Sequence, residues 1–253
     1  MSEVVRTTDE SFAKYAVAGA YHWHAVGGHW WKHHAFTAER YRRTLAAAGD
    51  LSGKRVLDFG CGDGAFLGLV SKAVGETGAA VGYDPNDEGR RLAVHMLAKH
   101  GLRAEVVGET KSLTVASFDV VFCNEVIEHV HEPLELLVEL HRLLKPGGTA
   151  VVTTPVRLHE TPEDANHVQE WFFNEFRELI QRSDFAVRSH EASIPAASVE
   201  MYYWRPKVFF RVPVFRVLSN VLSIHFRVNA MTWLGARPRL FMQQIAVLDK
   251  AGR

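Results

Sequence analysis

The chain has 253 residues, 47% hydrophobic and 23% charged, with 29 basic and 29 acidic side chains and two cysteines. These proportions belong to a globular protein and exclude a disordered chain, a collagen-like repeat and a disulfide scaffold; at this length one core folds without metal or disulfide. The first ten residues lack the basic-then-apolar pattern of a signal peptide, and no run reaches the roughly 20 apolar residues of a membrane span, so a cytoplasmic protein is expected. The neutral total hides an asymmetry, because residues 201–253 carry nine basic residues and one acidic residue. A basic end suits an anionic partner as readily as it suits a solvated face.

In chain order, residues 1–50 come first. Tyr21-His22-Trp23-His24 and His29-Trp30-Trp31-Lys32-His33-His34 concentrate aromatics and five of the fourteen histidines. Without cysteines or clustered acids among them, these residues read as a lid over a pocket rather than a metal tract. From residue 54 onward short apolar strands alternate with helical patterns, which predicts a parallel sheet covered on both faces. Strands are expected at 55–59, 79–83, 104–107, 118–123, 149–153, 185–190 and 240–248. Helices are expected at 64–74, from a cap at Asn86 to Gly101, from Pro133 to Pro146-Gly147-Gly148, and at 174–182. About 45 residues separate the last two strands, far more than an ordinary connection, so 195–239 is expected to be a structured insertion, with 51–194 and 240–253 forming the main domain. The insertion mixes aromatics with most of the excess basic charge, and its stretch 206–233 could lie at an anionic membrane surface or form a packed helical cap.

The first strand runs through Asp58 into Gly60-Cys61-Gly62-Asp63-Gly64 and a helix. Glycines there allow a tight turn and close approach of a ligand to the backbone. Gly60, Gly62 and Ala65 also satisfy the G-x-G-x-x-G/A dinucleotide fingerprint, so an NAD oxidoreductase is a rival. Asp58 argues against it, because a carboxylate there can hold an ammonium and would repel a pyrophosphate. Asp84 ends the second strand 20 residues past Gly64, at the distance where an acid accepts from ribose hydroxyls. Asp63 reads as a helix cap.

Residues 56–66, Asp84, the segment 118–130 and Leu143-Leu144-Lys145-Pro146-Gly147-Gly148 resemble the successive motifs of class I S-adenosylmethionine-dependent methyltransferases, in the family's order. The resemblance implies a Rossmann-like, doubly wound α/β fold with a seven-stranded sheet whose last strand is antiparallel. It also implies S-adenosylmethionine as cofactor. Asp58 and the Gly60, Cys61, Gly62 and Gly64 loop would surround the methionine end, Asp84 and Pro85 the ribose, Glu109 the adenine amine, and Asn124 and Glu125 the sulfonium. The adenine position usually carries Asp after Gly, whereas here it is Gly108-Glu109.

Glu125, Glu128 and His129 are spaced i, i+3, i+4, so one helical turn would bring all three to one face. Two carboxylates and an imidazole suit Mg²⁺ or Mn²⁺. The segment Asn124-Glu125-Val126-Ile127-Glu128-His129-Val130 resembles that of ubiquinone-biosynthesis O-methyltransferases, where such residues hold a metal. It is also similar to small-RNA 3′-terminal 2′-O-methyltransferases, in which a further histidine follows the fifth strand; His167 is the candidate here. Without a metal, Glu125 and Glu128 orient cofactor or substrate, and His129 and then His167 are the expected bases, with Glu128 beside them. The expectation is O-methylation of a hydroxylated small molecule, a sugar or quinone-like ring, lipid-linked or nucleotide-linked. An RNA 2′-O-methyltransferase and a non-catalytic cofactor-binding module are the alternatives. The acidic main domain speaks against nucleic acid, and a base beside the methyl group speaks against a sensor.

Overall fold

The computed structural model describes residues 13–158, 166–204, 213–229 and 241–252. Seven strands, β1 Arg55–Phe59, β2 Ala79–Tyr83, β3 Glu105–Val107, β4 Phe118–Asn124, β5 Leu144–Pro155, β6 Ala186–Pro195 and β7 Phe241–Asp249, form one sheet in the order β3-β2-β1-β4-β5-β7-β6. Neighbours from β3 through β5 run parallel, and β7 pairs antiparallel with both β5 and β6. This is the expected doubly wound sheet with an antiparallel last strand. Strand periodicity builds its two cores: Leu57, Phe59, Val121 and Cys123 face one cluster, while Val56, Val120 and Phe122 face the other.

Helices α4 Ala65–Val74, α5 Asp87–Lys99, α6 Pro133–Leu143 and α7 Phe173–Gln181 connect the strands. Asn86 caps α5 as expected, its side chain accepting from the Gly89 amide at 2.8 Å. Two boundaries differ from expectation. β5 begins at Leu144, because Phe118 pairs with Leu144 and Val120 with Thr149, so Lys145-Pro146-Gly147-Gly148 bulges out of the strand instead of preceding it. β6 continues to Pro195. As the outer strand it leaves Glu191 exposed, while the buried Ser193 is accommodated by its hydroxyl donating to Gln243 Oε1 of β7 at 3.1 Å.

Before the sheet come α1 Ala13–Ala18, α2 Tyr21–Val26 and α3 Ala35–Ala47. The last of these is more than a lid, since Tyr41 and Ala48 are buried in the sheet's second core cluster. The insertion holds α8 Ala196–Tyr203, α9 Val214–Val221 and a wide turn over Leu222–Phe226. Residues 206–212 and 230–233 of the expected membrane-contact stretch lie outside the described residues. A third cluster joins insertion to N-terminal segment: Ala35, Ile194, Val199 and Tyr202 are buried, with Phe36, Phe215 and Met242 against them.

Candidate active site

A cavity of about 650 Å³ opens at the carboxyl ends of β1, β2, β4 and β5, where open α/β sheets bind ligands. β1 delivers Asp58 to its floor, and the loop that follows is tied to β2, the amides of Gly60 and Cys61 donating to the Tyr83 carbonyl at 2.7 and 2.9 Å. Gly60 and Gly62 have φ of 83° and 51°. A Cβ at Gly60 would strike Val126 and one at Gly62 the Tyr15 hydroxyl, so glycine is needed for backbone and space alike. Asp84 holds the loop from β2: one carboxylate oxygen accepts from the Gly62 amide at 2.7 Å, the other from the Asn86 amide at 2.9 Å.

The acids of this floor are crowded away from water. Burial first, then the charges of Asp84 and Asp63, push the Asp58 carboxyl up to about 8, and burial lifts Asp84 to about 6 against the two amides. Asp58 Oδ2 is buried with no hydrogen-bond partner. An orphaned carboxylate oxygen on the floor of a cavity is the group that an ammonium of a ligand would satisfy.

At the other end of the cavity the chain turns at Glu125, whose φ of 58° is left-handed. This turn overrules the expected helical one. The short turn begins only at Ile127 and spans Ile127–His129, so Glu125 stays near Glu128 but outside the group formed by Glu128, His129 and His167. Its carboxylate instead pairs with Arg40 of α3 at 3.0 Å and accepts from Thr153 Oγ1 at 2.9 Å and Gln243 Nε2 at 3.2 Å. Asn124 Oδ1 accepts from the same threonine hydroxyl at 2.7 Å.

His167 completes the group. The amides of Val168 and Gln169 donate to the Glu128 carbonyl at 2.9 and 3.2 Å, and Gln169 Nε2 donates to the Val130 carbonyl at 2.9 Å, fastening the segment after β5 onto the Ile127–His129 turn. The rings of His129 and His167 then meet edge to face, 4.9 Å apart. One ligand atom from each of Glu128, His129 and His167 falls within 4.8 Å of the others. His129 Nδ1 donates to the Asn166 carbonyl at 2.9 Å and His167 Nδ1 to Glu170 Oε1 at 2.5 Å, which leaves Nε2 as the lone-pair nitrogen in each neutral ring. Glu128 Oε1 is buried without a partner, while Oε2 accepts from Thr154 Oγ1 at 3.1 Å. Burial and the neighbouring Glu125 raise the Glu128 carboxyl well above its ordinary value.

The structure therefore brings Asp58, Gly60, Cys61, Gly62, Asp84, Pro85, Asn124, Glu125, Glu128, His129 and His167 to one cavity. It corrects four expectations. Glu125 is excluded from the ligand group by its turn. Gly64 lies outside the cavity, its Cα packed so closely on Ala93 of α5 that a Cβ would fall 2.9 Å from it. Glu109 is exposed and pairs with Lys111 at 2.7 Å, away from the lining. Asp63 caps α4 only in part, since the N-cap position is Gly64 while Asp63 Oδ1 accepts from the Ala65 amide at 3.3 Å; its Oδ2 accepts from the His22 amide at 2.9 Å and its carbonyl from Trp23 Nε1 at 2.7 Å, anchoring α2. Sequence reasoning missed Tyr15, Arg40 and Glu170, which line the cavity. No local pattern in Glu39-Arg40-Tyr41-Arg42-Arg43 marks Arg40.

A family model described as a methyltransferase domain matches residues 31–192. The chain belongs to that methyltransferase family. The relatives include the ubiquinone biosynthesis O-methyltransferase of Pseudomonas aeruginosa, 32% identical over 165 residues, 59% of this chain and 68% of the relative. That of Haemophilus ducreyi is 27% identical over 203 residues, 74% and 84% of the two chains. Among solved structures, a SAM dependent methyltransferase from Aquifex aeolicus superimposes with a TM-score of 0.57 at 18% identity, over 83% of this chain and 89% of the other. A Haemonchus contortus phosphoethanolamine N-methyltransferase, in complex with phosphomonomethylethanolamine and S-adenosylhomocysteine, gives 0.64 at 18% identity, over 95% and 59%. This protein is an S-adenosylmethionine-dependent methyltransferase, and the orphaned Asp58 oxygen and the glycine cradle fit such a cofactor.

Proposed function

We propose that this methyltransferase acts on a hydroxyl of a small molecule, a sugar or a quinone-like ring, with residues 13–47 on the acceptor side of the cavity and residues 196–204 and 213–229 packed behind them. The observation that carries the reading is a single cavity with Asp58, Gly60, Gly62 and Asp84 at one end and Glu128, His129 and His167 at the other. Bound S-adenosylmethionine would supply an activated methyl group to the acceptor oxygen, the C–S bond breaking as the C–O bond forms and S-adenosylhomocysteine leaving. Asp58 would receive the cofactor's ammonium and Asp84 its ribose hydroxyls; Lys14 and Arg40 are cations on the wall suited to its carboxylate. A hydroxyl is a poor nucleophile until its proton leaves, and Nε2 of His129 or His167 accepts that proton. Glu170 holds the His167 ring in the tautomer this requires.

Glu128, His129 and His167 would also hold a divalent ion such as Mg²⁺ or Mn²⁺, which lowers the pKa of a bound hydroxyl. The partnerless Glu128 oxygen favours such an occupant. No described helix is long and apolar enough to cross a membrane, and the expected setting is the cytoplasm. RNA as acceptor has less support, because Arg216 and Arg227, the described arginines of the insertion, are not on the cavity wall.

The test is release of S-adenosylhomocysteine from catechol-like phenols, sugars, amines and short RNA, each with and without excess chelator. Turnover of a small hydroxylated acceptor, lost in chelator and restored by Mg²⁺ or Mn²⁺, supports the whole reading. Full activity in chelator removes the ion and leaves the histidines as the proton acceptors. Methylation of amines alone overturns transfer to oxygen.

A further inference from the structure

Strand β7 carries two neighbouring glutamines where a strand buried on both faces would be apolar, as its own continuation Ile245–Leu248 is. Gln243 and Gln244 are 1% and 0% exposed. Successive residues of a strand point to opposite faces, so the two amides enter different parts of the molecule. A buried amide is costly unless it is hydrogen-bonded, and both of these are. Gln244 Nε2 donates to the carbonyls of Pro155 and Trp171, each at 3.2 Å, and its Oε1 accepts from His190 Nε2 at 3.0 Å. Two carbonyls on one side fix which end of the amide is the nitrogen. His190 is then the tautomer with its hydrogen on Nε2; its ring stacks on Phe173 at 4.0 Å, burial lowers its pKa, and its buried Nδ1 has no partner. An apolar side chain at position 244 would pack without any of this, so the amide is there for what it holds.

What Gln244 holds is the histidine end of the cavity. Trp171 follows Glu170, whose carboxylate accepts from His167 Nδ1 at 2.5 Å, and Pro155 stands on the cavity wall. One amide thus ties the end of β5 to the segment that carries His167 and Glu170. On the other face, Gln243 Nε2 donates to Glu125 Oε1 at 3.2 Å and Gln243 Oε1 accepts from Ser193 Oγ at 3.1 Å, bracing the carboxylate that pairs with Arg40. We infer that both glutamines are positioning residues of the methyl transfer, Gln244 setting the His167–Glu170 pair and Gln243 the Glu125–Arg40 pair. The inference rests on the proposed function for what those pairs do, and adds a role for the last strand. Neither glutamine is on the cavity wall, so each acts through the group it holds.

Gln244→Met and Gln243→Met keep side-chain length and remove the bonds. The test uses the full chain with ¹⁵N-labelled histidine. In the wild type the Nδ1 proton of His167, assigned by its loss in His167→Gln, should resonate far downfield because it is bonded to a carboxylate. Gln244→Met should abolish that resonance and lower kcat about tenfold or more, since a misplacement of about 1 Å is that costly. Calorimetric S-adenosylmethionine affinity should not change. Gln243→Met should do the opposite, keeping the resonance and weakening cofactor affinity about fivefold. His190→Phe keeps the stack on Phe173 and removes the donor to Gln244; it should weaken the same resonance, and it takes the place of Gln244→Met if that variant does not fold. A resonance that survives in the Gln244 and His190 variants overturns the inference. So do two glutamine variants that lose kcat and cofactor affinity together, in step with thermal stability, because that is the behaviour of core fillers. The resonance and the calorimetry need no acceptor, so a wild-type protein that methylates no hydroxyl defeats the proposed function alone.

Discussion

The floor of the cavity and its cap are made on different terms. On the floor, each chemical group is set by its neighbours in sequence: β1 ends at a glycine turn, β2 ends at Asp84, and the Asp84 carboxylate meets the Gly62 amide because parallel strands carry both to the same edge. In the cap almost every deciding contact spans the chain. Asn220 binds backbone at residues 30–35, Tyr202 meets Ala35, and His33 Nε2 pairs with Ser223 Oγ at 3.0 Å. The same comparison holds for the histidines. His129 and His167 converge on one atom cluster, whereas His22 pairs with Asp63 and His34 with Thr37 and Tyr203, so the N-terminal histidines serve as separate fastenings. A floor can be chemically exact with local contacts; a cap needs long-range polar joints and can be altered without disturbing the floor.

The sharpest way to break that division is at the acceptor end. His129→Ala should lower turnover by about 10²- to 10⁴-fold while calorimetric affinity for S-adenosylmethionine stays near wild type; a parallel loss of affinity would merge the two ends of the cavity into one function. Next in size, Asp84→Ala should weaken cofactor binding by about 1.5–3 kcal/mol, the worth of a hydrogen bond to a charged acceptor. Unchanged binding in a folded variant would remove Asp84 from the ribose.

In the cap, Asn220→Ala strips partners from two carbonyls, one amide and one hydroxyl, at a cost of about 1–3 kcal/mol. The loss should appear as faster amide exchange in α8 and α9 and a raised acceptor KM, with cofactor affinity intact. If cofactor affinity drops equally, the cap and floor are one cooperative unit. The smallest effect concerns pH. Because the Asp58 carboxyl is raised from its ordinary value to about 8, the folded cofactor-free protein binds a proton that the unfolded chain has already lost. Its stability should therefore fall as pH rises from about 4 towards 8. Asp58→Asn should flatten that slope in thermal melts. Cofactor binding at pH 7 should release a proton, seen as a buffer-dependent heat.

Much of the floor was readable in advance. The strand positions, the glycine loop, Asp58, Asp84 and the pairing of His129 with His167 follow from apolar runs, turn residues and family motifs, all of which are local signals. Glu109 was misplaced because motif position alone does not say which way a surface carboxylate turns, and Lys111 lies beside it. Glu125 was misread for a related reason: spacing i, i+3, i+4 predicts a shared face only if the backbone is helical, and a left-handed residue breaks that premise. Arg40 carried no motif at all, and its role appears only when α3 packs on the sheet and brings it to Glu125.

The amino-acid order by itself determined the doubly wound sheet, the cofactor cradle and the basic, aromatic character of the insertion, because period, turn chemistry and composition act over a few residues. Only the tertiary structure decided which carboxylates join the histidines, which glycines face the cavity and which side of α9 is buried. Those outcomes depend on contacts between segments up to 194 residues apart, such as Asn229 and Ala35. A buried polar group selects its partner by what packing brings within hydrogen-bond reach, and no local sequence pattern encodes that distance.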